Sequence, residues 1–381
     1  MAKEDKKMVA SNFNLQKIDT KEYQQTIKSC ISSGTSMAVF GRRGSGKTQI
    51  AKEEIRQNGC VEVYWNLSTM ERVDVGGYPD LLGARGDFVN FKLPSTYEKM
   101  INGDQKVVAL LDEVDKAEPS LWAPLLEFTQ FHTINGRPLP NLQTIIMTGN
   151  LISEGGAKPC LPLLDRTTKF LIEPDVQAWM DWAGSSRKIH PSITSYIHDN
   201  QLDLYGDVDP DSSYADPSPR SWENASKILF KGEEENLSPR LLYKLVAGCV
   251  GNAVGLKYQA YFDHYQKILP MLDKLEKGNN IMKEYNALSP TEQLIVVSVL
   301  CNRIAGAVDD PNSNGKLSKK ASELLKNSAK LLVEAPQEYC LIGVRSQITL
   351  PRLIKHGLDE HEEFGKVISR VKQKFYGNEK R

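Results

Sequence analysis

Several absences narrow the roles open to this chain. Charge of one sign is missing: 48 Lys and Arg stand against 48 Asp and Glu. The strongly basic balance of a protein that coats nucleic acid or an anionic membrane is therefore absent, although local patches are compatible with neutrality. No apolar run approaches the roughly 18 residues needed to cross a bilayer. The leading MAKEDKKMVASNFN carries charge with no apolar stretch behind it, so no secretory signal and a cytoplasmic location are expected. Six cysteines (Cys30, Cys60, Cys160, Cys249, Cys301, Cys340) form no C-x-x-C pair. This argues against a structural zinc site and a disulfide framework alike. The histidines (His132, His190, His198, His264, His356, His361) lack metal-ligand spacing, and no internal repeat or low-complexity tract is present.

What is present is enough for more than one core: 381 residues, 40% apolar and 25% charged. The first 35 residues are polar, with one weakly amphipathic stretch at Tyr23, Ile27 and Ile31. Apolar runs then recur at 36–40, 61–67, 107–113, 143–150 and 168–173. Their continuous apolar character predicts a parallel α/β sheet buried on both faces. Trp122, Leu125 and Leu126 recur at helical spacing and are expected to pack a helix onto it. Beyond Pro174 the pattern turns helical, which predicts a boundary near 175. Ser289-Pro290-Thr291-Glu292 predicts a helix start through a capping box. Segments 207–219 and 308–316 have loop composition. Asp207, Asp209 and Asp211 have calcium-loop spacing, but Ser212 and Ser218 stand where Gly and a bidentate Glu are needed, so a solvated acidic loop is expected. The tail segment KVISRVKQKF follows an acidic DEHEE and reads as an amphipathic helix with a solvated face.

The chemistry begins at Gly41-Arg42-Arg43-Gly44-Ser45-Gly46-Lys47-Thr48, between the first strand and the helical TQIAKEEIRQ that opens with Thr48 and Gln49. This fits G-x-x-x-x-G-K-[ST]. Glycines let backbone N–H groups wrap a phosphate, Lys47 neutralises β/γ oxygens, and Thr48 offers a hydroxyl to Mg²⁺. A second strand, VVALLDE, ends in Asp112, suited to hold Mg²⁺ through water, and Glu113, suited to polarise an attacking water. The strand QTIIMTGN ends in Asn150, an amide placed to meet the γ-phosphate or that water. Arg166 precedes the fifth strand, on a loop from which an arginine reaches a neighbouring subunit's nucleotide; a surface ion pair is the plainer alternative.

This order of motifs resembles a AAA+ ATPase, in detail the MoxR-like group related to CbbQ-like and dynein-type members. ERVDVGGYPDLLGARGDFVNF resembles the hairpin inserted in the second helix, and FTQFHTINGRPLP the hairpin before sensor 1, with Asn135-Gly136 as its turn. Ser218-Pro219-Arg220-Ser221-Trp222-Glu223 resembles the start of the sensor 2 helix and makes Arg220 the sensor 2 arginine, while Ser238-Pro239-Arg240 is a second candidate start. The resemblance covers about 35–265, and with the sequence pattern it divides the chain into a polar segment 1–35, a nucleotide-binding core 36–175, a helical lid 176–270 and a helical extension 271–381 that departs from the family. It further implies ATP and Mg²⁺ as ligands and a homo-oligomer, a hexameric ring with ATP at each boundary. Arg166 would act across that boundary. Such proteins remodel or activate client proteins, often with a von Willebrand factor A domain partner.

Two other readings compete. A nucleic-acid motor or loader, McrB-like or helicase-loader-like, gains from Arg42, Arg43, Arg85, Lys92 and Arg137, and loses from the neutral balance and the absence of a DNA-binding module. A non-hydrolysing scaffold is disfavoured because Lys47, Asp112 and Glu113 are all present.

Overall fold

In a computed structural model of the chain, which describes residues 15–86, 88–152, 160–186, 188–206, 216–308, 319–340, 362 and 364–369, the long apolar runs become adjacent parallel strands. Two units are distinguished, Met1–Asp175 and Val176–Arg381. The strands of the first are β1 (Gln16–Ile18), β2 (Met37–Gly41), β3 (Val61–Asn66), β4 (Tyr78–Arg85), β5 (Phe88–Lys92), β6 (Val107–Asp112), β7 (Thr133–Ile134), β8 (Arg137–Pro138), β9 (Leu142–Asn150) and β10 (Thr168–Ile172). Its helices are α1 (Thr20–Ser33), α2 (Lys47–Gln57), α3 (Arg72–Gly76), α4 (Glu98–Asn102), α5 (Trp122–Phe131) and α6 (Leu161–Leu164).

Six strands form one sheet in the order β1-β10-β2-β9-β6-β3, with every pairing parallel. Alternation of side chains sends the two halves of each run to opposite faces. Ala38, Phe40, Ala109, Leu111 and Met147 meet Tyr97, Leu125 and Phe128 on one face. Met37, Val39, Val108, Leu110 and Ile146 meet Tyr23, Ile27, Ala51 and Ile55 on the other. Trp65 anchors the first layer, its ring 4.9 Å from Phe128 and 5.3 Å from Tyr97. Both expected hairpins occur, β4–β5 and β7–β8. Asn135 and Gly136 both take positive φ, 48° and 73°, as a two-residue type I′ turn demands. The Glu127 carboxylate accepts the N–H groups of both.

Residues 15–33, read from the sequence as part of a polar segment with one weakly amphipathic stretch, pack within the first unit. β1 joins the sheet beside β10, and α1 buries Tyr23, Ile27, Cys30 and Ile31 beneath it. A three-residue strand is too short to leave a periodic signal.

The second unit is helical: α7 (Val176–Ser186), α8 (Pro191–Asp199), α9 (Pro219–Glu234), α10 (Pro239–Val250), α11 (Asn252–Glu276), α12 (Met282–Asn286), α13 (Pro290–Val308) and α14 (Lys319–Glu334). Tyr196, Trp222, Tyr258 and Phe262 lie in one hydrophobic cluster with Leu300 and Leu332. Gly251, at φ 84°, ends α10 and separates it from α11. No helix end falls at 270, since α11 is continuous through Pro270. His190 is a capping group: its Nδ1 accepts the Ser192 N–H at 3.3 Å. The six cysteines form no disulfide, three of them being buried and three half-buried. Among the described residues no helix is long and apolar enough to cross a membrane. Residues 207–215 and 309–316 of the two expected loops, His356 and His361, and most of the tail segment lie outside the described residues; Val367 and Ile368 are buried.

The capping box of α13 is formed. Glu292 accepts from the Ser289 N–H at 3.0 Å and hydroxyl at 2.8 Å, and His264 Nδ1 lies 2.8 Å from its other oxygen. These hydrogen bonds, those of Ser289 first, lower the carboxyl from its ordinary 4.5 to about 2. A carboxyl lowered by folding stabilises above its ordinary pKa and loses that contribution as pH falls through its folded one. Glu292→Ala should therefore cost about 1 kcal/mol near neutral pH. In denaturant melts the gap to the parent should close between pH 4.5 and about 2; a pH-independent gap would contradict this.

Candidate functional site

The strand order reverses at β2. From its end the chain crosses to β3 at the far edge, returns through β6 and β9, and then passes to β10 on the other side of β2. Open α/β sheets bind ligands outside the carboxyl ends of their strands at such a switch point. Gly41 pairs with Asn150 there, and Asn66 with Asp112, so the carboxyl ends of β2, β9, β6 and β3 open onto one edge of the sheet.

The loop after β2 turns on Gly44 and Gly46, at φ 73° and 81°. Gly46 immediately precedes α2, in a left-handed conformation that a Cβ would strain. Lys47 is only 7% exposed. Its ammonium donates to the carbonyls of Gly41 at 2.9 Å and Arg42 at 2.8 Å. It also lies 3.5 Å from both Ser45 Oγ and Asn150 Oδ1. The buried Tyr23 hydroxyl donates to the Lys47 carbonyl at 3.1 Å, tying α1 to the start of α2.

Asp112 is the most heavily bonded acceptor. Its Oδ1 accepts from Thr48 Oγ1 at 3.0 Å, from Thr148 Oγ1, and from the Glu113 N–H at 3.0 Å. Its Oδ2 accepts from the Tyr64 hydroxyl at 3.0 Å. Burial, then the charge of Asp112, pushes that hydroxyl up to about 12, so it is a donor at neutral pH. Glu113 differs from its neighbour. Its backbone is left-handed, φ 55° and ψ 41°, a strain of about 1 kcal/mol or more for a residue with a side chain. Its carboxylate is 30% exposed and pairs with Lys116 at 3.1 Å. Adjacent carboxylates thus have separate settings, one fixed in a network and one half-open to water.

Asp115, 2% exposed, accepts the Asn150 N–H at 2.9 Å and joins the turn after β6 to the end of β9. Its second oxygen is buried without a partner. Gly149 permits this closure, since a Cβ there would lie 2.7 Å from the Phe40 ring and 3.1 Å from Asp115 Oδ1.

Lys47, Thr48, Asp112, Glu113 and Asn150 are therefore gathered in one place. The exposed Gln49 lines a surface groove with Lys52 and Glu62. Arg166 is elsewhere: it precedes β10, whose first residue pairs with Met37 at the opposite end of β2. Five residues of strand at about 3.3 Å each separate the two levels by roughly 16 Å. Its guanidinium donates to Gln130 Oε1 at 2.7 Å and to the Pro162 carbonyl. Arg220 and Arg240 belong to the second unit, each exposed in the first turn of a helix capped by Ser218 or Ser238.

The sequence reading missed Tyr23, Tyr64, Asp115 and Thr148. Thr148 had a signal, as a polar residue in an otherwise apolar strand two positions before Asn150. The others had none, because their roles rest on contacts between distant segments.

The donor set suits a magnesium nucleotide. Thr48 and Asp112 offer hard oxygen atoms 3.0 Å apart, and among the described residues no cluster of three or more His, Cys, Asp or Glu could hold a metal. Mg²⁺ is commonly held by one or two carboxylates together with substrate phosphates, which such a sparse set allows.

Sheet, loop and helix together make an α/β P-loop fold, with a helical C-terminal part. No family model and no curated protein matches the chain. Among solved structures it is similar to Thermotoga maritima RuvB, described as a Holliday junction branch migration motor, with TM-score 0.33 and 12% identity over 88% of this chain and 86% of that one. Two variants of the same protein match with TM-scores of 0.35 and 0.33 at 11% identity, over 89% of this chain and 87% of theirs. Similarity this loose assigns no activity.

Gly149→Ala should destabilise the protein by about 1–3 kcal/mol through overpacking against Phe40 and Asp115. Urea unfolding checks this, and an unchanged midpoint would show that the two strand ends are not in close contact.

Proposed function

We propose that this chain is a Mg²⁺-dependent ATPase of the AAA+ type, and that it works as a MoxR-like remodeller or activator of client proteins. The observation that carries the ATPase reading is the convergence of Lys47, Thr48, Asp112 and Asn150 at the carboxyl ends of three adjacent strands. Gly41, Arg42, Arg43, Gly44, Ser45 and Gly46 form the loop whose N–H groups receive the phosphates, and Lys47 neutralises the β/γ oxygens. Thr48 and Asp112 hold the metal ion, which when bound offsets phosphate charge. Glu113 takes the proton of an attacking water, and Lys116 orients that carboxylate. Asn150 is placed to orient the γ-phosphate or the water.

Arg166 supports a ring. At the amino-terminal level of the sheet, roughly 16 Å from the loop, it is badly placed for its own nucleotide and exposed to meet a neighbour's. Arginines that act in this way accelerate transfer by about 10³–10⁵. A core at 36–175, a helical lid at 176–270, a helical extension at 271–381 and a cytoplasmic location follow from the sequence pattern; Arg220 as the sensor 2 residue, six subunits and a von Willebrand factor A partner follow from the resemblance alone. So does ATP in preference to GTP.

Glu113→Gln should lower ATP turnover at least about 10²-fold while binding of a fluorescent ATP analogue persists. Unchanged turnover would overturn the mechanism. Neither Glu113→Gln nor Arg166→Ala subunits should turn over alone, yet mixing them should restore activity, because a mixed boundary supplies an intact Glu113 from one chain and Arg166 from the other. No recovery at any ratio would exclude action in trans. Steeply salt-dependent stimulation by DNA would replace the protein client with nucleic acid.

A further inference from the structure

Tyr64 is not part of any motif and stands on the edge strand of the sheet, yet its hydroxyl reaches the carboxylate at the end of the neighbouring strand. It donates to Asp112 Oδ2 at 3.0 Å. The three donors on Oδ1 come from Thr48, Thr148 and Glu113. A carboxylate held at one oxygen keeps rotational freedom about its Cβ–Cγ bond; a donor at the second oxygen removes it. The tyrosine is itself braced. Lys52 Nζ sits 3.9 Å from the centre of its ring and pairs with Glu62 at 3.1 Å. Lys52 comes from α2, the helix that Lys47 and Thr48 begin, so one bracket joins the phosphate-loop helix, the edge strand and the metal-side carboxylate.

We infer that Tyr64 is a positioning residue for Mg²⁺, fixing the plane of the Asp112 carboxylate in the orientation that the metal and its water require, with Lys52 holding the ring in place. This rests on the reading of Asp112 as the metal-side carboxylate. The contact through which Tyr64 acts is the one to Asp112. Its ring is 39% exposed, so it contributes little to the core, and loss of the hydroxyl alone leaves the ring and its lysine in contact. Groups that orient a metal's ligands from behind commonly change metal affinity 10–100-fold.

The test uses the full chain carrying Glu113→Gln, so that nucleotide persists, and titrates Mg²⁺ against a fluorescent ATP analogue. Adding Tyr64→Phe should raise the Mg²⁺ concentration at half-maximal binding about tenfold, leave affinity without Mg²⁺ within twofold, and leave the melting temperature unchanged. Lys52→Met should shift the Mg²⁺ midpoint in the same direction by less. A Tyr64→Phe midpoint within twofold of the parent, or a lower one, overturns the positioning role. So does an equal loss of affinity with and without Mg²⁺, which marks a merely structural residue. If the parent itself binds the analogue independently of Mg²⁺, the reading of Asp112 fails and the inference falls with it, a result recognisable before any Tyr64 variant is compared.

Discussion

Backbone hydrogen bonding between β2, β9 and β6 is the constraint on which everything else at the site depends. Because these strands are parallel and in register, Gly41 ends level with Asn150 and Leu111 is paired with Met147 one step before Asp112. The phosphate loop, the paired acids and the terminal asparagine then have to emerge side by side. Strand order adds the crevice, since β9 and β10 leave β2 on opposite sides. Nothing in the loop itself would bring Asn150 to 3.5 Å from Lys47.

On that platform stand several departures from ordinary packing. A lysine is buried on carbonyl oxygens, a glutamate takes a left-handed backbone, and Asp115 keeps one oxygen buried and unpartnered. Away from the site some buried polar groups are paired, while others, the Trp179 indole N–H and the Tyr285 hydroxyl among them, are buried without a partner. In the second unit the Trp222 indole N–H donates to the Asp203 carbonyl at 2.9 Å, and Asp203 in turn accepts from Tyr196 and Lys257. Strain such as that at Glu113 persists only where the surrounding structure over-determines it.

Much of this was legible residue by residue. The runs at 36–40, 107–113 and 143–150 read as strands because burial on both faces requires uninterrupted apolar residues. Asn135-Gly136 announced a tight turn, since both residues tolerate positive φ. Ser218, Ser238 and Ser289 announced helix starts through their own hydroxyls. β1 escaped notice because three residues carry no period. Tyr64 and Asp115 were illegible for a different reason. Alone, one is an aromatic in a strand and the other a third acid after a pair.

The sequence by itself determined the local chemistry: a loop able to wrap phosphate, a strand ending in two acids, a strand ending in an amide, and the switch from α/β to helical pattern near 175. Each is a matter of conformations and spacings within a few residues. Tertiary structure alone decided which of those groups meet. Thr48 and Asp112 are 64 residues apart in the chain, Tyr64 and Asp112 are 48 apart, and Lys47 and Asn150 are 103 apart. It also decided that Arg166 stands at the other end of the strands, because β10 runs parallel to β2. The direction and order of strands are settled by pairing across the sheet, and that pairing leaves no mark on the residues near each motif.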